Sequence, residues 1–240
     1  MVSLRAHLAR GFGGLLSWPR RHPAIWGLIL GCVMAHVSRA ADSNVLLNAW
    51  FHAQTNLQSW SARFTQTRSL RTLAQPLTVQ GRVWVVFPDR FRWELGEPAQ
   101  TIALRRGEDM WVIYPRLKRA ERYPLTGTQP GPWRDALALF EAGFPRGRAE
   151  LESRFRILTV TVSNEVCRLA LQPKSVSARR LMPQIRVSFD TRGCSLLATE
   201  VTFADGSQLR NEYAGAAANA PVSDTLFQPR LDPDFTLVEP

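Results

Sequence analysis

The stretch Gly81–Leu95, GRVWVVFPDRFRWEL, decides how this chain folds. Val83, Val85 and Phe87 recur at every second position, and Phe91, Trp93 and Leu95 resume the pattern after Pro88-Asp89. A period of two puts all six side chains on one face of an extended chain, with Arg82, Arg92 and Glu94 on the other. A second run, Thr101–Pro115 (TIALRRGEDMWVIYP), bends at Arg106-Gly107-Glu108 and brings Trp111 and Ile113 to the same candidate surface. The result is a sheet with one face rich in aromatic and β-branched residues. A packed helix, a second sheet or a ligand could cover that face.

Working outward, Leu46, Leu47, Trp50, Ala53, Leu57 and Trp60 recur at steps of three and four, which predicts an amphipathic helix over Asn44–Trp60. Ala62–Gln66 reads as a first strand. Between Pro130 and Gly147, Trp133, Ala136, Leu137, Phe140 and Phe144 mark a second short helix bounded by proline and glycine. Strand patterns then resume at Ile157–Val162, at Val166–Leu171 and through Ile185, Val187 and Phe189. They continue through Leu197, Thr199, Val201 and Phe203, and past the turn Ala204-Asp205-Gly206 to Leu209, Asn211 and Tyr213. Short turns make neighbours antiparallel, and about ten strands in one sheet must curl. The expected fold class is α+β, mainly β. It is a strongly curled, half-open antiparallel barrel of about 10–11 strands, closed by a helical lid whose underside is Trp133, Leu137 and Phe140. Residues 41–240 are expected to form a single domain.

Residues 1–40 differ from the rest. They hold Arg5, Arg10, Arg20, Arg21 and Arg39, no acidic residue, and an apolar run from Ala24 to Val37 that ends at Ser38-Arg39-Ala40. This is the pattern of a secretory signal peptide cleaved after Ala40, and the run is too short to span a bilayer. Ile29-Leu30-Gly31-Cys32 is a poor match to a lipoprotein processing site, because Leu30 is not the small residue such sites place before glycine. Lipidation there would make the protein membrane-anchored. The five leader arginines account for half of the formal charge of +10. The remaining excess is dispersed and almost entirely arginine, with no nucleic-acid motif, so nucleic acid is not an expected partner.

Cys167 and Cys194 lie beyond the leader. An even pair in an exported protein predicts a structural disulfide, closing a loop of about 27 residues for roughly 3 kcal/mol in the chain-entropy model. A metal site would need more ligands than two cysteines with no nearby histidine. Beyond the leader the chain has one histidine, His52, and no G-x-S-x-G, H-E-x-x-H, P-loop or G-x-G-x-x-G sequence. No catalytic residue, metal or cofactor is expected.

The stretch Phe64–Pro115 resembles the periplasmic lipoprotein-carrier (LolA) family. The resemblance rests on F-x-Q (Phe64, Gln66), then on G-x-x-W-V-x-x-P-x-x-F-x-W (Gly81, Trp84, Val85, Pro88, Phe91, Trp93). Pro98 follows, then G-x-x-x-W-x-x-x-P (Gly107, Trp111, Pro115), and later Leu171, Pro173, Lys174 and the ending Phe227-Gln228-Pro229. It extends over about residues 44 to 240. It implies a periplasmic, monomeric carrier that takes the acyl chains of lipoproteins, or other lipids, into an apolar cavity. Such a carrier receives cargo from an inner-membrane release complex and passes it to an outer-membrane acceptor. Family members carry arginine immediately before the motif proline, where it hydrogen-bonds the lid shut; this chain has Phe87. Two other readings of the same shape are a lipid-sensing signalling module, expected to carry a second domain, and an acceptor anchored through Cys32.

Overall fold

A computed structural model describes residues 43–125 and 142–239. Residues 41–240 form one compact unit. The leader, and the predicted lid residues Trp133, Leu137 and Phe140, lie outside the described residues.

Helix α1 (43–55) opens the described chain. It ends five residues earlier than the periodicity predicts, so Trp60 belongs to the first strand. Strand β1 (Ser59–Ser69) is followed by four hairpin-linked neighbours: β2 (Leu77–Val86), β3 (Arg90–Leu95), β4 (Thr101–Arg106) and β5 (Asp109–Tyr114). A 3₁₀ turn at Pro115–Leu117 leads to β6 (Arg119–Pro124). After the connection come α2 (Arg148–Arg154), β7 (Phe155–Ser163), β8 (Val166–Pro173) and α3 (Val176–Leu181). Strands β9 (Gln184–Asp190), β10 (Leu196–Thr202) and β11 (Gln208–Ala218) follow. The tail adds a 3₁₀ turn at Asp224–Phe227 and β12 (Thr236–Val238).

The twelve strands of the described residues make one sheet, ordered β12-β6-β5-β4-β3-β2-β1-β11-β10-β9-β8-β7. The count exceeds the expected 10–11 because β6 and the three-residue β12 carry little alternation of their own. Every pairing is antiparallel except β12 with β6. The sheet does not close on itself: β7 and β12 are its two edges. The mainly β, half-open curled architecture read from the sequence is therefore present.

The hairpin β2–β3 shows why the alternation works. Val83 lies opposite Trp93, Val85 opposite Phe91 and Gly81 opposite Leu95, so the two halves of the quoted stretch share one face. That inner face carries the main core, where Trp50, Phe64, Val83, Leu169, Val187 and Phe189 are almost fully buried. Helix α1 packs into it, with the Trp50 ring stacked on Phe189 at 4.7 Å and 4° between planes.

Beside this apolar core runs a polar ladder across β1, β11 and β10. Gln66 Nε2 donates to Asn211 Oδ1 (3.0 Å), and Asn211 Nδ2 donates to Thr199 Oγ1 (3.4 Å). The Thr199 and Tyr213 hydroxyls share a hydrogen bond at 3.0 Å. Burial pushes the Tyr213 phenol up to about 12 despite that bond.

Cys167 and Cys194 are free thiols, contrary to the disulfide expected from their number. Cys167 is fully buried and lies opposite Phe189 in the β8–β9 ladder. Cys194 sits beyond the end of β9, at a left-handed φ of 54°. The turn that holds it there is fixed by the Asp190 carboxylate, which accepts from the backbone N–H groups of Arg192, Gly193 and Ser195. Burial pushes the Cys167 thiol up to about 11.

Candidate functional site

Strands β1 to β5 position the candidate face. Phe64 on β1 lies opposite Gly81, and its ring approaches Trp93 with centroids 3.9 Å apart. Phe91 and Trp93 stack at 6.3 Å, and Tyr213 meets both Trp60 and Phe64 edge-on. Val83, Val85 and Phe91 are buried, whereas Phe87, Trp93 and Leu95 pack against the core while only partly covered. The face is therefore filled at its base and open along Phe87, Trp93 and Leu95 among the described residues. Six of the eight residues expected to form it are brought together.

The other two are not. In the β3–β4–β5 register, Trp93 opposes Ala103 and Ala103 opposes Val112, while Phe91 opposes Arg105 and Arg105 opposes Met110. The inner face thus continues through Ala103, Arg105, Met110 and Val112. Trp111 and Ile113 have the opposite parity and stand on the outer face, aligned with Leu104 and Ile102. There Trp111 receives the guanidinium of Arg122 over its ring at 5.6 Å, and Arg122 also pairs with Asp109. The same outer face is crossed by the C-terminal tail. Phe227 is fully buried, Arg90 lies over its ring, and Arg92 Nη1 donates to the Leu226 carbonyl (2.9 Å).

Residues that sequence reading missed are Phe64, Ala103, Arg105, Met110, Val112 and Tyr213 on the face, and Phe144 and Arg146 at its border. The signal for Met110 and Val112 was present. A two-residue turn at Gly107-Glu108 pairs Arg106 with Asp109, and that alone fixes which residues of β5 face inward.

Phe87 is placed by its N–H, which donates to the Gln58 carbonyl at 2.9 Å. Its ring meets Phe144 at 5.7 Å, and the Arg146 guanidinium lies over it at 5.3 Å. Directly before Pro88, therefore, this chain presents an aromatic ring that receives an arginine from the segment before α2.

Comparison with known proteins identifies the family. The family described as outer membrane lipoprotein carrier protein LolA matches residues 55–230. An outer-membrane lipoprotein carrier protein from Coxiella burnetii is 26% identical over 210 residues, covering 84% of this chain and 89% of its own. Its namesake from Photorhabdus laumondii is 30% identical over 95 residues, covering 37% and 43%. Among solved structures, a LolA superfamily protein from Nitrosomonas europaea aligns with a TM-score of 0.41 at 11% identity, covering 78% of this chain and 97% of its own. On the family match over most of its length, the chain belongs to the LolA family of outer membrane lipoprotein carrier proteins.

Proposed function

We propose that this protein is a periplasmic carrier that binds the acyl chains of lipoproteins on the inner face of its sheet and hands them to the outer membrane. In this reading residues 1–40 direct export and are removed. The observation that carries the proposal is the partly covered apolar strip of Phe87, Trp93 and Leu95 above the buried floor of Val83, Val85 and Phe91. An acyl chain gains roughly 0.8 kcal/mol for each methylene it buries, so a strip of this kind suits a long saturated chain. Binding and release then need no covalent step, only a cover that moves. By sequence pattern that cover is the segment containing Trp133, Leu137 and Phe140. An inner-membrane release complex and an outer-membrane acceptor are the partners that such a cycle requires.

The test is native mass spectrometry of the protein purified from its own periplasm, with the bound mass identified, for the unaltered chain and for Phe91→Glu and Trp93→Glu. The expected result is a co-purifying acylated protein that is lost in both variants. Either variant that folds and still binds acylated cargo normally overturns the proposal.

A further inference from the structure

At the β2–β3 turn the inner face opens into a pocket of about 330 Å³ whose walls divide by chemistry. Its floor is Val85, Phe87, Phe91 and Phe144, continuous with the apolar strip. Its rim carries Arg90, Arg105, Arg146 and Arg154 against only two acids, Asp89 and Glu150. Arginines above an apolar floor suit a ligand with both a negative group and a hydrocarbon part, provided that some of them are not already paired.

Two of these arginines are available. Arg105 projects on the inner face opposite Phe91 and is half-buried. Its Nε donates to the Gly107 carbonyl at 3.1 Å, and it has no carboxylate partner among the described residues. Its two Nη groups keep their N–H donors. Arg146 spends the flat side of its guanidinium on the Phe87 ring. Stacking of that kind leaves the in-plane N–H groups free to donate. Glu150 does not neutralise it in the structure, since that carboxylate accepts from the Arg146 backbone N–H at 2.8 Å instead. Arg90 is held away by its ion pair with Asp224.

We propose that this pocket binds the anionic head, phosphate or carboxylate, of an amphiphile whose chain lies along the apolar strip. Arg105 and Arg146 grip the head, and Phe87, Phe91 and Phe144 contact the first methylenes. Its size is at the lower limit for ligand sites, roughly 300–1,000 Å³, which suits a head and the start of a chain better than a whole acylated terminus. Hydrogen bonds to charged groups with this geometry are the strong ones, and they weaken in salt at an exposed rim. The inference rests on the acyl-binding reading of the face and adds to it a preference for negatively charged cargo.

The test uses the lipid-stripped protein and measures binding of dodecyl phosphate, dodecanol and inorganic phosphate by calorimetry, in the unaltered chain and in an Arg105→Gln/Arg146→Gln double variant. Dodecyl phosphate is expected to bind at least roughly tenfold tighter than dodecanol at low salt, with the ratio falling towards one in the double variant. An Arg105→Lys/Arg146→Lys variant should keep part of the preference. Equal binding of the two amphiphiles to the unaltered protein overturns the head site and leaves the acyl-binding face standing. Binding of neither overturns both. A preference that survives in the double variant, or inorganic phosphate binding as tightly as dodecyl phosphate, overturns the assignment of head and chain to this pocket.

Discussion

A Cβ built on Gly81 would fall 2.3 Å from the Cζ of Phe64 and 2.3 Å from the Glu94 carbonyl oxygen. One of those atoms is backbone in the neighbouring strand, so the clash cannot be relieved by turning a side chain. The glycine is there to let the Phe64 ring lie flat across the strand and reach Trp93. Gly81→Ala should therefore destabilise the fold by roughly 1–3 kcal/mol, read as a lower denaturant midpoint at unchanged slope. A midpoint equal to that of the unaltered protein would mean that β1 and β2 separate more easily than their register implies. Trp50 shows a different economy. Among the described residues, its indole Nε1 is buried without a hydrogen-bond partner, and so is Oε1 of Gln54 one turn later. The stacking of Trp50 on Phe189 offsets that cost by placing a large ring in the middle of the core.

Element by element, the chain announces some features and hides others. Long alternating stretches were readable: β2 and β3 lie inside the quoted run, and the Gly107 turn falls between β4 and β5 at a φ of 59°. Helix α3 was missed because six residues offer hardly more than one turn of pattern. Its one sign is Ser175, which accepts from the Ala178 N–H as an N-cap. The misplacement of Trp111 and Ile113 has a sharper cause. Their size suggests the apolar face, but β5 presents apolar residues on both sides, Met110 and Val112 inward and Trp111 and Ile113 outward. Bulk cannot decide between two apolar faces; only the register can. This yields a direct check. Trp93→Gln should reduce acyl uptake strongly, while Trp111→Gln should leave it unchanged and cost only the contact with Arg122, measured by displacement of a fluorescent fatty acid. Equal losses in the two variants would contradict the inner and outer assignment.

For the molecule as a whole, the buried weak acids set an alkaline limit. The Cys167 thiol is raised from 9.0 to about 11 and the Tyr213 phenol from 10.0 to about 12. Both hold their protons longer in the folded state than in the unfolded chain. Between about pH 9 and 12 the unfolded chain therefore binds fewer protons, and stability falls as pH rises. Below pH 9 both groups are protonated in either state and contribute no slope. Urea midpoints measured from pH 8 to 12 should be level at first and then decline. Cys167→Ala should flatten the portion between pH 9 and 11, and Tyr213→Phe the portion between 10 and 12. A profile that declines equally in both variants would place the sensitivity in other groups.

The seam between β1 and β11 lies inside the sheet, yet the strands that form it are among the most distant in the chain: Gln66 and Asn211, hydrogen-bonded across it, are 145 residues apart. Strands β1 to β6 form a run of local hairpins that emerges early in synthesis. The edge of β1 that will meet β11 has no partner until the segment through Ala218 has arrived. Distant pairings of this kind are slow to close. The molecule thus carries its own delay: a joint in the middle of its sheet that can set only once the segment through Ala218 is present.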